Sequence, residues 1–253
     1  MSAPVPAPSR PIVVIPARMA STRLPGKPLA DIAGAPMIVH VWRRAMEADV
    51  GPVVVACAEA AIADAVEAAG GTAVLTRPDH PSGSDRIFEA VARVDPDGRH
   101  DVVVNLQGDL PTVDPAVVRA VLEPLGDPEV DIATLVSPIA EAGERDNPNV
   151  VKAVVSLAAD ANVGRAIYFS RAAVPWGEGA HFHHIGIYAY RRAALTRFVA
   201  LKPGVIEQRE RLEQLRALEN GMRIDAAVVD TVPFGVDTPG DLERARALLT
   251  GGR

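Results

Sequence analysis

The sequence predicts an α/β protein, with a mostly parallel sheet, helices on both faces of that sheet, and a smaller mixed α/β lobe inserted in the second half. Three observations support this prediction. In the first half, short apolar runs alternate with stretches that suit a helix, an order typical of parallel sheets. In the second half, apolar runs follow one another with little helix between them. Near the C-terminus, two helical patterns flank one further strand.

The first-half elements are bounded by clear start and stop signals. Strands are predicted at residues 12–17, 53–58, 72–76 and 102–106. Helices are predicted at residues 37–47, 59–69, 85–94 and 114–125. Asp114 and Pro115 favour a helix start, because Asp accepts from free N–H groups and Pro suits the first helical position. Gly70 and Gly71 favour a helix end.

The second half has fewer helical patterns. Strands are predicted at residues 130–136, 151–156, 184–190 and 223–229. Helices are predicted at residues 207–220 and 238–249. In the first of these helices, Leu212, Leu215 and Leu218 lie along one stripe, and Gly221 follows as a helix end. Thr238 is the expected N-cap of the second helix.

One domain is predicted over residues 11–253, with the lobe at about residues 137–225 and a disordered tail at residues 1–10. The tail is Pro-rich and lacks the apolar segment of a signal peptide. No apolar run approaches the ~20 residues needed to span a bilayer, so no membrane insertion is expected. Cys57, the single cysteine, lies in an apolar run, and a cytoplasmic location is therefore expected.

Charge is distributed unevenly along the chain. The formal net charge of −6 and the aromatic content of 4% disfavour a nucleic-acid binder, which would present a basic face or stacking rings. Yet Arg18, Arg23 and Lys27 share one loop directly after the first predicted strand. That contrast favours a small polyanionic ligand at one place.

This N-terminal loop is the first candidate site. It follows a buried strand, at the sheet edge where open α/β proteins bind ligands, and Pro and Gly stiffen it. Cations and backbone N–H groups suit phosphate oxygens, so a triphosphate is the expected ligand. A solvated surface loop is the alternative. Lys27 is followed by Pro28, so the loop is not a P-loop, and no G-x-G-x-x-G is present.

Two aspartates follow apolar segments in a similar way. Asp109 lies in VVVNLQGDLP and Asp237 in FGVDTPGDL. A carboxylate near a triphosphate suits Mg²⁺, which binds one or two carboxylates together with substrate phosphates. The alternatives are that Asp109 caps the following turn and that Asp237 satisfies the helix start at Thr238.

Three further segments carry polar groups. In residues 78–86, small residues with a glycine allow close approach to a flat base, or form a plain turn that starts a helix. His184 leads a predicted strand; a metal site with His181 and His183 is disfavoured, because no Cys or carboxylate lies at ligand spacing. Glu213 and Gln214 lie within the predicted helix, where a solvated face is the alternative.

Taken together, these motifs resemble the 3-deoxy-D-manno-octulosonate (Kdo) cytidylyltransferase, or CMP-Kdo synthetase, family. The resemblance runs from residue 12 to 246. The segments that carry it are IPARMASTRLPGKPLADIAGAPMIVHV, HPSGSDR, VNLQGDLP, NPNVVKAV, YFSRAAVPW, HHIGIYAYRR, LEQLRALENG and GVDTPGDLERAR. The basic loop alone marks a wider nucleotidyltransferase superfamily, whereas HIGIYAYR and LEQLRALENG are more specific. This chain departs from the family pattern at two places. Leu110 stands where many relatives have an acidic residue, and residues 176–182 form a segment shorter than that of many relatives.

The resemblance implies a nucleotidyltransferase-type fold and the transfer of CMP from CTP to the anomeric hydroxyl of Kdo, releasing pyrophosphate, for lipopolysaccharide biosynthesis. It implies a cytoplasmic homodimer that uses Mg²⁺. The implied catalytic residues are Arg18, Lys27, Asp109 and Asp237, the two aspartates as metal ligands. The implied nucleotide-binding residues are Arg18, Ser21, Arg23, Lys27, Ser82 and Gly83. The implied sugar-binding residues are Gln107, Arg171, His184, Tyr188, Glu213 and Gln214.

Two alternatives to this activity remain at this point. One is another CTP- or NTP-dependent sugar nucleotidyltransferase, such as a CMP-sialate synthetase or a sugar-1-phosphate pyrophosphorylase. The other is a catalytically silent sugar-nucleotide-binding protein with the same fold. The sequence also leaves open the 8-amino form of the sugar.

Overall fold

The computed structural model describes residues 9–251. Residues 1–8 of the predicted tail lie outside the described part, and Ser9 and Arg10 are exposed. The backbone N–H of Arg10 donates to Asp101 Oδ1 at 2.6 Å, just before the first strand begins. Within residues 9–251, no helix is long and apolar enough to cross a membrane.

Eleven strands and nine α-helices are described in this range. The strands are β1 (Pro11–Ala17), β2 (Asp31–Ile32), β3 (Ala35–Pro36), β4 (Val53–Cys57), β5 (Thr72–Leu75), β6 (Val102–Asn105), β7 (Ile132–Pro138), β8 (Lys152–Ser156), β9 (Val163–Ser170), β10 (Phe182–Arg191) and β11 (Ile224–Val228). The helices are α1 (Met37–Glu47), α2 (Ala60–Ala68), α3 (Gly83–Val94), α4 (Pro115–Ala120), α5 (Ala142–Asp146), α6 (Arg192–Val199), α7 (Val205–Glu210), α8 (Leu215–Glu219) and α9 (Pro239–Thr250).

Nine of the strands form one mixed sheet in the order β5-β4-β1-β6-β10-β7-β11-β9-β8. The first four are parallel, as predicted. Strand β10 then runs antiparallel to both β6 and β7, and β9 runs antiparallel to β11 and β8. The sheet as a whole is therefore mixed rather than mostly parallel. Strand β8 also pairs with β10, which closes a ring of the five second-half strands.

The core lies on both faces of the sheet because the central strands are apolar on both sides. In β1, Val13 and Ile15 belong to the apolar cluster on one face, and Ile12 and Val14 to the cluster on the other. Alternation of side chains along a strand produces this division. With both faces covered, the polar groups that follow β1 and β6 are confined to the sheet edge, which positions the site described below.

The predicted helix over residues 207–220 is wrong. Arg211 adopts a left-handed conformation (φ 57°, ψ 46°), which ends α7, and α8 begins four residues later. The N–H of Leu212 donates to the carbonyl of Glu207 at 3.2 Å, which closes the end of α7. Across the break, Arg216 forms a buried ion pair with the Glu207 carboxylate. This ion pair stabilises the two short helices across the break, and Leu212 and Leu215 are buried without a continuous helix.

Several elements are absent from the prediction: the short strands β2 and β3, helix α5, strand β9 and helix α6. Strand β9 has small residues on its buried face, and a Cβ on Gly164 would lie 2.5 Å from the carbonyl oxygen of Ser156. Its exposed face includes Arg165 and Ile167, so the usual apolar alternation is weak. Helix α6 begins directly after β10, with only Arg191 as its N-cap, and lacks a sequence start signal. The predicted helix over residues 114–125 ends earlier, at Ala120.

Candidate active site

A cleft of about 430 Å³ opens at the carboxyl ends of β1 and β6. Nine of the predicted site residues line it: Arg18, Ser21, Arg23, Lys27, Ser82, Gly83, Gln107, Asp109 and Asp237. The fold thus brings together residues from both ends of the chain. The predicted triphosphate and metal residues share one cavity.

Lys27 lies between the two predicted metal ligands. Its Nζ is 2.9 Å from Asp109 Oδ2 and 3.0 Å from Asp237 Oδ1. Arg23 reaches the other oxygen of Asp237 at 2.9 Å. Burial lowers the pKa of Lys27, but the two carboxylates outweigh that effect, so its pKa lies above the usual value. Both carboxylates therefore converge on one cationic position.

Local structure leaves both carboxylates available to the cleft. Asp241 Oδ2 accepts from the N–H groups of Asp237 and Thr238, at 3.1 and 2.8 Å, so Asp241 and Thr238 complete the helix cap. The side chain of Asp237 is not needed there. In the described part of the chain, the Asp109 carboxylate has its hydrogen bond with Lys27 rather than with the following turn. Both capping alternatives from the sequence are therefore wrong.

Helix α3 supports the wall of the cleft beside Ser82 and Gly83. Ser82 is its N-cap and accepts from the N–H of Asp85, so the helix starts earlier than predicted. The buried guanidinium of Arg86 donates to Thr76 Oγ1 at 2.6 Å and to the carbonyl of Arg77 at 3.0 Å. The helix therefore holds its own preceding loop in place.

Two titratable side chains that line the cleft were not among the predicted site residues. They are His80 and Arg86. The His80 ring contacts the carboxylate of Glu89 on α3. Both residues belong to the polar segment 78–86, so the signal was present, but only the structure shows that their side chains reach the cavity wall.

A second polar group lies behind Gly83, outside the residues that line the cleft. Ser84 Oγ donates to Glu213 Oε2 at 3.0 Å, which connects the first turn of α3 to the turn between α7 and α8. Gln214 Nε2 is 3.4 Å from His184 Nδ1, and the rings of His184 and Tyr188 are 5.6 Å apart. The four predicted sugar residues on this side therefore form one cluster, and the prediction that Glu213 and Gln214 lie inside a helix is wrong.

Burial sets the ionisation of this cluster. It raises the pKa of Glu213, although Ser82, Ser84 and Arg216 oppose the shift. It lowers the pKa of His184 to about 3, with a smaller effect from His183. His184 is therefore neutral near pH 7 and acts as a hydrogen-bonding group.

Arg171 does not reach the cleft. Its guanidinium donates to the backbone carbonyls of Glu210 at 2.9 Å, Pro148 at 3.0 Å and Arg211 at 3.5 Å. Its own carbonyl accepts from the buried Lys152 at 2.7 Å. Arg171 thus joins the loops around α7, and a direct contact with the sugar stays a prediction.

The carboxylate oxygens of the cleft can hold a metal ion only when a bound ligand supplies further oxygen donors. Among residues 9–251, no group of three or more His, Cys, Asp or Glu side chains is placed to hold a metal ion. Two convergent carboxylates, Asp109 and Asp237, remain. They fit Mg²⁺ binding in which phosphate oxygens and waters complete the shell. The fold and this cleft define a nucleotidyltransferase.

Comparisons with known proteins identify the family. The cytidylyltransferase family profile matches residues 12–224. A 3-deoxy-manno-octulosonate cytidylyltransferase of Paramagnetospirillum magneticum is 69% identical over 239 residues, covering 94% of this chain and 97% of that protein. Its counterpart in Rhodospirillum centenum is 70% identical over 250 residues, covering 98% and 97%. The chain belongs to the 3-deoxy-manno-octulosonate cytidylyltransferases of the cytidylyltransferase family.

Solved structures agree with this assignment. The structure of a CMP:2-keto-3-deoxy-manno-octonic acid synthetase complexed with CTP matches with a TM-score of 0.89 and 41% identity, covering 97% of this chain and 100% of that one. A nucleotidyl transferase from Methanothermobacter matches with a TM-score of 0.62 at 17% identity, covering 96% and 99%. The second likeness concerns the fold alone.

Proposed function

We propose that this chain transfers CMP from CTP to the anomeric hydroxyl of Kdo, giving CMP-Kdo and pyrophosphate for lipopolysaccharide biosynthesis. The observation that carries the proposal is the convergence of Asp109 and Asp237 on Lys27 within a cleft lined by Arg18 and Arg23. Family membership names the two substrates. The cleft supplies the charges that the reaction requires.

The reaction is a displacement at the α-phosphorus of CTP. The C2 hydroxyl oxygen of Kdo forms the new P–O bond, the bond from the α-phosphorus to the bridging oxygen breaks as pyrophosphate leaves, and the hydroxyl proton passes to solvent water. Such transfers depend on positioning and on charge stabilisation more than on covalent help. Arg18, Arg23 and Lys27 would hold the triphosphate and stabilise the charge on departing pyrophosphate. We expect no covalent enzyme intermediate.

Asp109 and Asp237 would hold Mg²⁺ together with the phosphates. The fit rests on their shared cation position and on the oxygen donors that Mg²⁺ prefers. A bound ion supplies charge neutralisation at the phosphates and makes the attacking hydroxyl more acidic. If Mg²⁺ occupied this position, Lys27 would be free to contact phosphate oxygens. That contact agrees with its raised pKa, which keeps the amine positively charged.

The remaining predicted residues divide between the two substrates. Ser82 and Gly83 would meet the cytosine, and Ser21 would lie near the triphosphate. Gln107, which lines the cleft, would bind the sugar. His184, Tyr188, Glu213 and Gln214 would bind the sugar, which presents many hydroxyl groups, and Arg171 would support that side. An unmade buried hydrogen bond costs ~1–3 kcal/mol, so polar groups such as these select among sugars.

The assembly and location are also proposals. We propose a homodimer formed through the second-half lobe, acting in the cytoplasm without nucleic-acid or membrane partners. Cys57 is buried, and burial raises the pKa of its thiol to about 11, which agrees with a reducing compartment and a structural role.

Product analysis tests the activity. The protein is incubated with CTP, Mg²⁺ and either Kdo, 8-amino-Kdo or sialic acid, and pyrophosphate release and the sugar nucleotide are measured. CMP-Kdo with the fastest pyrophosphate release is the expected result. Turnover of another acid sugar in place of Kdo would contradict the proposed substrate. Binding of CTP with no turnover of any sugar would favour a silent binding protein.

A further inference from the structure

A bulge in β10 lies beside the proposed sugar residues. Ile185 pairs with Leu135 of β7, but Tyr188 pairs with Thr134, so the register shifts between Ile185 and Tyr188. Carbonyl groups within a bulge lose their regular ladder partners. Here the carbonyl oxygens of Ile185 and Ile187 lie 3.2 and 3.0 Å from the hydroxyl oxygen of Thr134. The buried Thr134 hydroxyl can therefore donate to one of these two carbonyls.

The same hydroxyl also faces a histidine nitrogen. Thr134 Oγ1 lies 3.0 Å from His184 Nε2. A hydroxyl has one proton, and a carbonyl oxygen only accepts. If the Thr134 proton went to Nε2, both carbonyls would face an oxygen with no hydrogen between them. The proton therefore goes to a carbonyl, and His184 Nε2–H donates to Thr134.

The histidine tautomer then fixes its other nitrogen. His184 is neutral, so a proton on Nε2 leaves Nδ1 as an acceptor. Gln214 Nε2 lies 3.4 Å from that nitrogen and donates to it. The carboxamide oxygen of Gln214 consequently points away from His184. Within residues 9–251 this oxygen accepts no hydrogen bond, and it is not fully buried. It is therefore accessible to solvent.

We propose that Thr134 is a positioning residue that, through His184, holds the carboxamide of Gln214 with its oxygen turned toward the acid sugar. The sugar side of the site then presents an acceptor at this position and selects a hydroxyl or ammonium donor on the substrate. This inference rests on the proposed sugar-binding role of Gln214. It adds a residue on β7, distant in sequence from every segment that carries the family resemblance.

The first test reads the tautomer directly. Long-range ¹H–¹⁵N correlation spectra of histidine-labelled protein distinguish protonated from bare ring nitrogens, and a His184→Gln variant assigns the signal. The wild type and Thr134→Ser, which keeps the hydroxyl, are expected to show Nε2–H. Thr134→Val, which removes it, is expected to lose that state. A protonated Nδ1 in the wild type, or an unchanged tautomer in Thr134→Val, would overturn the proposal.

The second test connects the network to the substrate. In Thr134→Val, KM for Kdo is expected to rise tenfold or more while KM for CTP stays within twofold, and Thr134→Ser is expected to restore the wild-type value. An equal rise in both KM values, or no rise in either, would overturn the specificity role. Failure of the wild type to transfer CMP would contradict the proposed function instead. The His184 tautomer would then still show whether Thr134, His184 and Gln214 are hydrogen-bonded as proposed. If Thr134→Val does not fold, the wild-type tautomer alone decides, since protonated Nδ1 overturns the proposal.

Discussion

The backbone N–H of Val236 donates to the backbone carbonyl oxygen of Asp109 at 2.9 Å. This bond joins the loop after β6 to the segment that enters α9, and it places Asp237 beside Asp109 without using either carboxylate. Because the alignment is made by the main chain, both side chains remain available for cations. The main chain therefore brings Asp109 and Asp237 close together before either carboxylate binds a cation.

A methyl group at Gly108 is expected to disturb this alignment. A Cβ at this position would lie 2.8 Å from the carbonyl oxygen of Pro16, so the loop that carries Asp109 must shift. Gly108→Ala should lower kcat/KM at least tenfold and destabilise the protein by about 1–3 kcal/mol. Gly235→Ala is the matched control, since its Cβ meets only Leu110 at 3.8 Å. Equal activity in the two variants would show that the close approach is unimportant.

The break between α7 and α8 predicts an unusual response to glycine. Arg211 has φ 57°, a conformation that costs a non-glycine residue ~1–2 kcal/mol, so Arg211→Gly should leave stability unchanged or raise it by up to about 1 kcal/mol. Arg209→Gly, in the right-handed part of α7, should cost about 1 kcal/mol. Urea unfolding measures both. A similar loss in both variants would indicate one continuous helix.

Neutral His184 gives the protein a specific pH dependence. Burial lowers its pKa from 6.5 to about 3, so between these values the unfolded chain binds a proton that the folded chain does not. This contribution to stability is complete above pH 6.5 and is lost as the pH falls toward 3, at up to ~1.4 kcal/mol per pH unit.

Unfolding free energies measured from pH 7 to pH 4 check this effect. The wild type should lose stability more steeply than His184→Gln, which lacks the titrating group. His181→Gln, at a half-buried position just before β10, serves as the control for the loss of a histidine. A His184→Gln slope equal to that of the wild type would show that folding does not lower the pKa of this ring.

The sequence was sufficient for the parts of the fold that depend on local signals. The strands β1, β4, β5 and β6 appear as apolar runs, and the caps at Asp114 and Thr238 appear as Asp-Pro and Thr-Pro pairs. The basic loop with Lys27 and the aspartate Asp109 were predictable for the same reason. Both follow strand ends, and strand ends in a parallel sheet share one edge. His80 and Arg86, which follow no strand end directly, were missed.

The rest depends on contacts between distant segments. A leucine stripe does not reveal that the buried pair of Glu207 and Arg216 stabilises a broken helix. The partners of Arg171 are backbone carbonyls, which leave no mark in a motif. The role of Thr134 arises only from a bulge on the neighbouring strand. The sugar-binding residues were predicted from resemblance alone, and the structure adds that His184, Tyr188 and Gln214 lie together.

The most direct test asks whether CMP transfer to Kdo requires both Asp109 and Asp237. Pyrophosphate release from CTP and Kdo in Mg²⁺ is measured for the wild type, Asp109→Ala, Asp237→Ala and Asp97→Ala. Asp97 pairs with Arg99 on the surface, so its variant controls for the loss of a carboxylate. If both carboxylates are required, the wild type and Asp97→Ala release pyrophosphate rapidly. The rate falls at least a hundredfold in Asp109→Ala and Asp237→Ala. Near wild-type rates in Asp109→Ala and Asp237→Ala would contradict this requirement.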